Sequence, residues 1–382
     1  MELGYITAQD GEERELLRFL EKAFNNIPAR FERSLPKLYR PQYHPCPHNL
    51  VVREGGQLRA AVGLYPMDFY VGGEKLLAAG IGNVAVGKAW RGAGYMKLLM
   101  RQVLELSRER GTDLLALSGQ RQRYQYFGFE RAGGVYSFQV SQTNLRHARL
   151  APTNLTVEPL RPEDAESLHA IHSLNETAPL HCTRPSAPAA LFDTLCSWRS
   201  VPYVLRADGK FAGYFISGQE IKGVGELRLA APADIAGAVQ AILGAAKKDV
   251  GFHLNPTETE AVAFLAGLCE GVGVGCPESF HVMNYKRVLG AFLRLGARIR
   301  PLCEGEIVIR VNGWFKPENL RIRVCGDEIS VTPTEDPPAV TMEHLAAMRC
   351  FFAPVSSERN ALPAAVAAWF PLPLSFPGAD AV

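Results

Sequence analysis

The stretch from Ile81 to Gly111 constrains the fold of this chain more than any other. Residues 81–86 read as a strand, Gly87 to Gly94 as a Gly-containing turn, and residues 94–110 as a helix with Met96, Leu99, Met100, Val103 and Leu106 on one face. Gly111 is a suitable stop for that helix. A strand that runs through Arg91-Gly92-Ala93-Gly94 into a helix offers unpaired backbone N–H groups and a positive dipole end to an anion. Glycine lets the backbone come close to phosphates, so the turn suits a pyrophosphate. Taken alone, the turn could equally serve geometry. Gly82 to Lys88 also fits the spacing of a nucleotide phosphate loop. That reading is rejected, because Ala89 stands where a hydroxyl for magnesium is needed and Val84-Ala85-Val86 favours a strand.

Around this unit the hydrophobic period alternates between helix and strand. Residues 12–24 carry Leu16, Leu17, Leu20 and Phe24 at helical spacing, and Phe31, Leu35 and Leu38 mark a second short helix or loop. Residues 50–53, 57–64, 68–71 and 75–79 read as short strands, with Gly55-Gly56 and Gly72-Gly73 as hairpin turns. Strands at 113–118 and 136–140 complete a first domain, 1–150. A polar stretch at 144–154, with Pro152, reads as a linker. A second mixed domain, 151–287, has helix-like runs at 163–171 and 234–247 and strand-like runs at 203–207, 211–217 and 280–285. The last domain, 288–382, opens with an apolar run at 288–295. Period-2 runs over 307–311, 320–324 and 329–331 then predict an antiparallel sheet covered by helices near 342–352 and 364–370. An extended tail occupies 371–382. The fold class is α/β in the broad α+β sense, with two mixed-sheet domains and a third α+β domain.

Composition narrows the functions. The net charge of +2 is spread along the chain, which argues against nucleic acid as a partner. The N-terminus has no basic patch followed by an apolar run. The longest apolar candidate, 361–374, is broken by Pro363, Pro371 and Pro373, so neither a signal peptide nor a membrane span is expected and the cytoplasm is the expected location. No two of the eight cysteines stand at a zinc or redox spacing, so no metal and no disulfide are expected.

The strand, the Arg91-Gly92-Ala93-Gly94 turn and its helix resemble the acyl-CoA signature of the GCN5-related N-acetyltransferase (GNAT) superfamily, Gln/Arg-x-x-Gly-x-Gly/Ala, with Met96 departing from its final small residue. The resemblance implies acetyl-CoA as cofactor. Backbone N–H groups of Arg91, Gly92, Ala93, Gly94, Tyr95 and Met96 would hold the pyrophosphate, and Val84, Ala85 and Val86 the pantetheine arm and thioester. Downstream, Tyr124-Gln125-Tyr126-Phe127-Gly128-Phe129 resembles the Tyr-x-x-Phe-Gly-aromatic arrangement of the enhanced-intracellular-survival branch. That likeness implies that the Tyr124 hydroxyl assists thiolate departure, while packing is the alternative role for this aromatic cluster.

The same branch implies tandem GNAT-like domains with a degenerate second copy, followed by a sterol-carrier-protein-like domain. Between Thr156 and Arg287 no second Arg-x-x-Gly turn occurs, so the middle copy is expected to bind no CoA. The branch also implies that the α-carboxylate of Val382 acts as base, with Asp380 as the nearest substitute. Glu32, Tyr39 and Tyr43 lie where the superfamily builds its acceptor pocket. His44 and His48 are four apart in a Pro-broken loop and read as surface loop residues ahead of substrate contacts.

The expected activity is acetyl transfer by direct attack of a primary amine: an aminoglycoside, a polyamine or a Lys-like group. The rival reading is a catalytically weak scaffold that binds an apolar ligand or serves oligomerisation. A homo-oligomer, hexameric in relatives of the branch, is compatible with either.

Overall fold

Paired glycines at 55–56 and 72–73, all at positive φ, close two hairpins that build most of the first sheet. The computed structural model describes residues 1–5, 11–25 and 30–382. Its first sheet runs in the order Glu2–Tyr5, Asn49–Glu54, Gln57–Val71, Glu74–Val86, Leu114–Leu117, Ser279–Val282, Glu130–Arg131. A short strand, Leu180–Cys182, pairs with the far end of Gln57–Val71. Glu74–Val86 and Leu114–Leu117 are parallel, and the crossover between them is the helix Tyr95–Glu109. That helix buries Leu99, Met100, Val103 and Leu104 on the sheet, as its amphipathic pattern requires.

Two strands prove longer than their local pattern. The runs 57–64 and 68–71 form one strand through Pro66. On its open side, Asn49–Glu54 pairs only as far as Gly63 and Leu180–Cys182 only from Phe69, so no neighbour there needs the N–H that Pro66 lacks. Likewise 75–79 and 81–86 form the single strand Glu74–Val86.

The middle unit instead holds two four-stranded sheets. One orders Glu226–Leu229, Lys210–Ser217, Val201–Ala207 and Leu155–Pro159; the other orders Gly223–Val224, Val250–Leu254, Val135–Val140 and Val272–Gly275. Here the strand placement differs from the sequence reading. Val135–Val140, expected to close the first sheet, lies between Val250–Leu254 and Val272–Gly275, whereas Ser279–Val282, expected to close the second, lies between Leu114–Leu117 and Glu130–Arg131. The two units thus exchange equivalent strands. The stretch read as a linker also differs, because Ser141 and Asn144 form a reciprocal capping box that starts the helix Gln142–Ala148.

The helix Tyr285–Ile299 leads into a fourth sheet, ordered Glu328–Pro333, Pro317–Cys325, Gly305–Asn312 and Val340–Glu343. The last of these runs parallel to Gly305–Asn312, so the sheet is mixed rather than wholly antiparallel. Its core is filled by Phe292, Phe351, Phe352 and Trp369, each wholly buried. The eight cysteines are all free. Among the described residues, no helix is long and apolar enough to cross a membrane.

Candidate active site

The strand Glu74–Val86 is bulged next to its C-terminal end. Gly63 pairs with Gly82 and Ala61 with Ala85, which leaves an extra residue on the longer side, and Asn83 takes φ +42°. The distortion is held by a buried polar cluster. Tyr39 donates to Asn83 Oδ1 at 2.8 Å and lies 2.8 Å from the Tyr65 hydroxyl, while Asn83 Nδ2 donates to Asn49 Oδ1 at 2.7 Å. Gly63 is required here, since a Cβ on it would collide with Asn83 Oδ1 and the Tyr65 ring.

Beyond the bulge the chain passes Trp90, on which the Arg59 guanidinium stacks 3.9 Å from the ring centroid, and enters the turn. Gly92 at φ +91° and Gly94 at φ +83° give it a path that other residues take only with strain, and neither would meet another atom if it carried a Cβ. Gly94 is the N-cap of Tyr95–Glu109, and no side chain caps it. The N–H groups of Tyr95, Met96 and Lys97 in the first turn have no helical acceptors.

These pieces enclose a cleft of about 610 Å³. Its walls include Val84, Ala85, Val86, Arg91, Gly92, Gly94, Tyr95 and Met96, which is every residue expected at the cofactor except Ala93. Trp90, Lys97 and Arg123, together with Ala23 and Phe24 at the end of the first helix, complete it. The sequence reading missed this second group. Lys97 and Arg123 add positive charge beside the helix start, which strengthens the case for an anion.

Tyr124 follows Arg123 on the short helix Arg121–Gln125 and is buried, with its ring against the backbone at Gly119. Burial pushes its hydroxyl pKa upward, and Arg123 only partly offsets this. The group therefore keeps its proton at neutral pH.

Val382 lies on the other side of the bulge. A Cβ on Gly82 would stand 3.1 Å from the terminal carbon of Val382, and one on Gly80 would collide with the Val382 side chain. The tail that brings it there is pinned at three points. Lys37 Nζ donates to the Ala379 carbonyl at 2.6 Å, Trp198 Nε1 to the Ala381 carbonyl at 3.2 Å, and Arg184 makes two bonds to Asp380. Asp380 is thus corrected as a substitute base, since its carboxylate is buried and committed to Arg184.

The acceptor candidates separate. Glu32 is half-buried on the helix Arg30–Ser34. Tyr39 is 1% exposed and works beneath the bulge, so a direct substrate contact is corrected to a role in supporting the strand. Tyr43 donates to Asp193 Oδ2 at 2.7 Å, and Arg40 pairs with the same carboxylate, which ties the first unit to the helix Pro188–Leu195. Burial, reinforced by Asp193, pushes the Tyr43 hydroxyl up to about 12. His44 is exposed, whereas His48 is half-buried and packs 5.3 Å from the Tyr65 ring.

With this geometry in hand, one comparison is decisive: residues 4–132 match the family model "Acetyltransferase (GNAT) domain". The first unit is a GNAT acetyltransferase domain. Solved structures similar to the whole chain include a GCN5-related N-acetyltransferase from Kribbella flavida, 18% identical, covering 100% of this chain and 98% of that one with a TM-score of 0.68. Eis1 from Mycobacterium abscessus is 17% identical, with 98% and 97% covered and a TM-score of 0.65. A GCN5-related N-acetyltransferase from Anabaena variabilis ATCC 29413 is 16% identical, with 92% and 90% covered and a TM-score of 0.66. At these identities the likeness establishes the fold over the whole length. No curated protein matches the chain. The acetyltransferase domain carries the bulged strand, the glycine turn and the basic cleft, so acyl transfer is the chemistry this unit is built for.

Proposed function

We propose that the chain transfers an acetyl group from acetyl-CoA to a primary amine, of an aminoglycoside, a polyamine or a Lys-like group, by direct attack within the acetyltransferase domain. The observation that carries this reading is the basic, glycine-edged cleft at the end of the bulged strand, with the Val382 terminus packed on the same strand at Gly82. Backbone N–H groups from Arg91 to Met96 bind the pyrophosphate, and Val84 to Val86 hold the pantetheine arm and thioester. The amine nitrogen attacks the thioester carbonyl carbon. Its oxyanion is held by backbone N–H near Val86, and the amine proton passes to the Val382 carboxylate directly or through water. As the C–S bond breaks, the sulfur takes the Tyr124 proton, whose retention at neutral pH suits that role. Glu32 is the acceptor-side contact.

Residues 288–382 are proposed as a sterol-carrier-like domain. Its aromatic-filled core favours a structural part over uptake of an apolar ligand. A cytoplasmic homo-oligomer completes the reading. The test is thiol release from acetyl-CoA across a panel of aminoglycosides, polyamines and Lys peptides. Amine-dependent turnover is expected. Tight CoA binding without turnover on any amine would shift the reading to a weak scaffold.

A further inference from the structure

Arg184 follows the short strand Leu180–Cys182, far in sequence from both the cleft and the tail, and its side chain is wholly buried. Its guanidinium is shared between two carboxylates. Nε and Nη2 donate to the two oxygens of Asp380 at 3.0 and 2.9 Å, while Nη1 and Nη2 donate to the two oxygens of Glu226 at 2.8 Å each. Tyr214 donates to Glu226 from the same interior. Burial opposes ionisation of Glu226, but the charge and hydrogen bonds of Arg184 outweigh it and hold the carboxyl down at about 2. A buried ionic cluster is a poor source of net stability, so its value lies in fixing a geometry. What it fixes is the tail, because Asp380 stands two residues before Val382.

We propose that Arg184, held in place by Glu226, is the positioning residue of the active site's terminus. The middle unit, through this bridge, thereby sets where the Val382 carboxylate sits in the acetyltransferase domain. The inference rests on the reading that this carboxylate takes the amine proton. Two residues reach at most ~7 Å, so the bridge confines the carboxylate to a small volume beside Gly82. Without it, the nearest core anchor upstream is Ala379, buried with Leu168, Ile171, Leu191 and Leu195. Three residues reach ~10 Å, a volume roughly threefold larger, which lowers the effective concentration of the base in proportion. Loss of orientation adds to this, since ~1 Å of misplacement costs up to ~100-fold, and with the backbone contacts from Lys37 and Trp198 retained the loss in turnover is about tenfold.

Removing Arg184 strands Glu226 in the interior, so the variant to make is Asp380→Ala, which leaves the Arg184 to Glu226 pair intact. Turnover and CoA affinity are measured for it in the intact protein and in a form lacking residues 381–382. In the intact protein, kcat falls about tenfold while the CoA Kd stays within twofold. In the shortened form, already slow, Asp380→Ala changes kcat less than twofold, because the new terminal carboxylate, at residue 380, stands two residues short of the position beside Gly82. An equal loss in both backgrounds, or no loss in the intact protein, overturns the positioning role while leaving the catalytic terminus standing. Full activity of the shortened form removes the base itself, and both statements fall together.

Discussion

The acetyltransferase domain and the middle unit contain the same joint, a strand that turns into a helix beside the end of an earlier helix, yet the two joints are opposite in chemistry. In the first, Val84 to Val86 lead through glycines to the helix Tyr95–Glu109, and the cleft of about 610 Å³ is edged by Arg91, Lys97 and Arg123. In the second, Glu226–Leu229 leads through Pro232-Ala233-Asp234 to the helix Ile235–Ala246, and the cleft of about 400 Å³ is lined by Glu258 and Glu260 with Arg228. Pro232 has no N–H to offer. Asp234 is the N-cap of its helix as Gly94 is of the first, and it puts a negative charge where a pyrophosphate would need none. Copying the architecture therefore does not copy the site. What sets the proposed CoA site apart from its counterpart is two glycines and three cations.

The largest effect should come from making the first joint resemble the second. Gly94→Asp introduces a side chain at φ +83° and a charge against the phosphates, so the CoA Kd, read by calorimetry, rises about a hundredfold, or about 3 kcal/mol. An unchanged Kd would break the comparison. Tyr124→Phe sharpens it from the chemical side. It lowers kcat about thirtyfold with the CoA Kd within twofold, since only departure of the thiolate loses a proton donor.

The middle cleft should betray its acids through pH. Burial holds the Glu258 carboxyl up at about 7, with Arg228 only partly opposing, and its Oε1 is sealed from solvent without a partner. A folded-state pKa above the unfolded value means that the native state binds the proton more tightly. This contribution is favourable below about pH 4.5, shrinks as the pH rises through about 7 and is gone above it. Glu258→Gln, neutral throughout, should therefore gain roughly 1 to 2 kcal/mol relative to the parent protein at pH 8 and almost nothing at pH 5 in denaturant melts. The smallest effect belongs to Asp234→Gly. It changes stability by less than ~1 kcal/mol and creates no second CoA site, because Pro232 and the acids remain.

The reach of the sequence follows the range of the interactions. The glycine turn, its amphipathic helix and the hairpins are local, and their residues meet in one cleft. Strand exchange is not local. Residues 135–140 and 279–282 are both short, largely apolar runs, and either could close either sheet; only their partners decide. The fourth strand of the last sheet, Val340–Glu343, is equally invisible, since a parallel pairing with Gly305–Asn312 leaves no hairpin signal. Arg184 and Asp380 are separated by 196 residues, so nothing in either neighbourhood announces the bridge. Tyr39 misled for a related reason: an aromatic near an expected pocket reads as a contact, but its hydroxyl is spent on Asn83. The Ser141 to Asn144 capping box is a local signal, but the polar stretch around it offers no apolar period to mark the helix it starts.

The most direct test of the contrast between the two joints is the stoichiometry of CoA binding to the intact chain by titration calorimetry. One CoA per chain, abolished or strongly weakened by Gly94→Asp and unchanged by Asp234→Gly, is the predicted result. Two CoA per chain, or one that survives Gly94→Asp at full affinity, would contradict it.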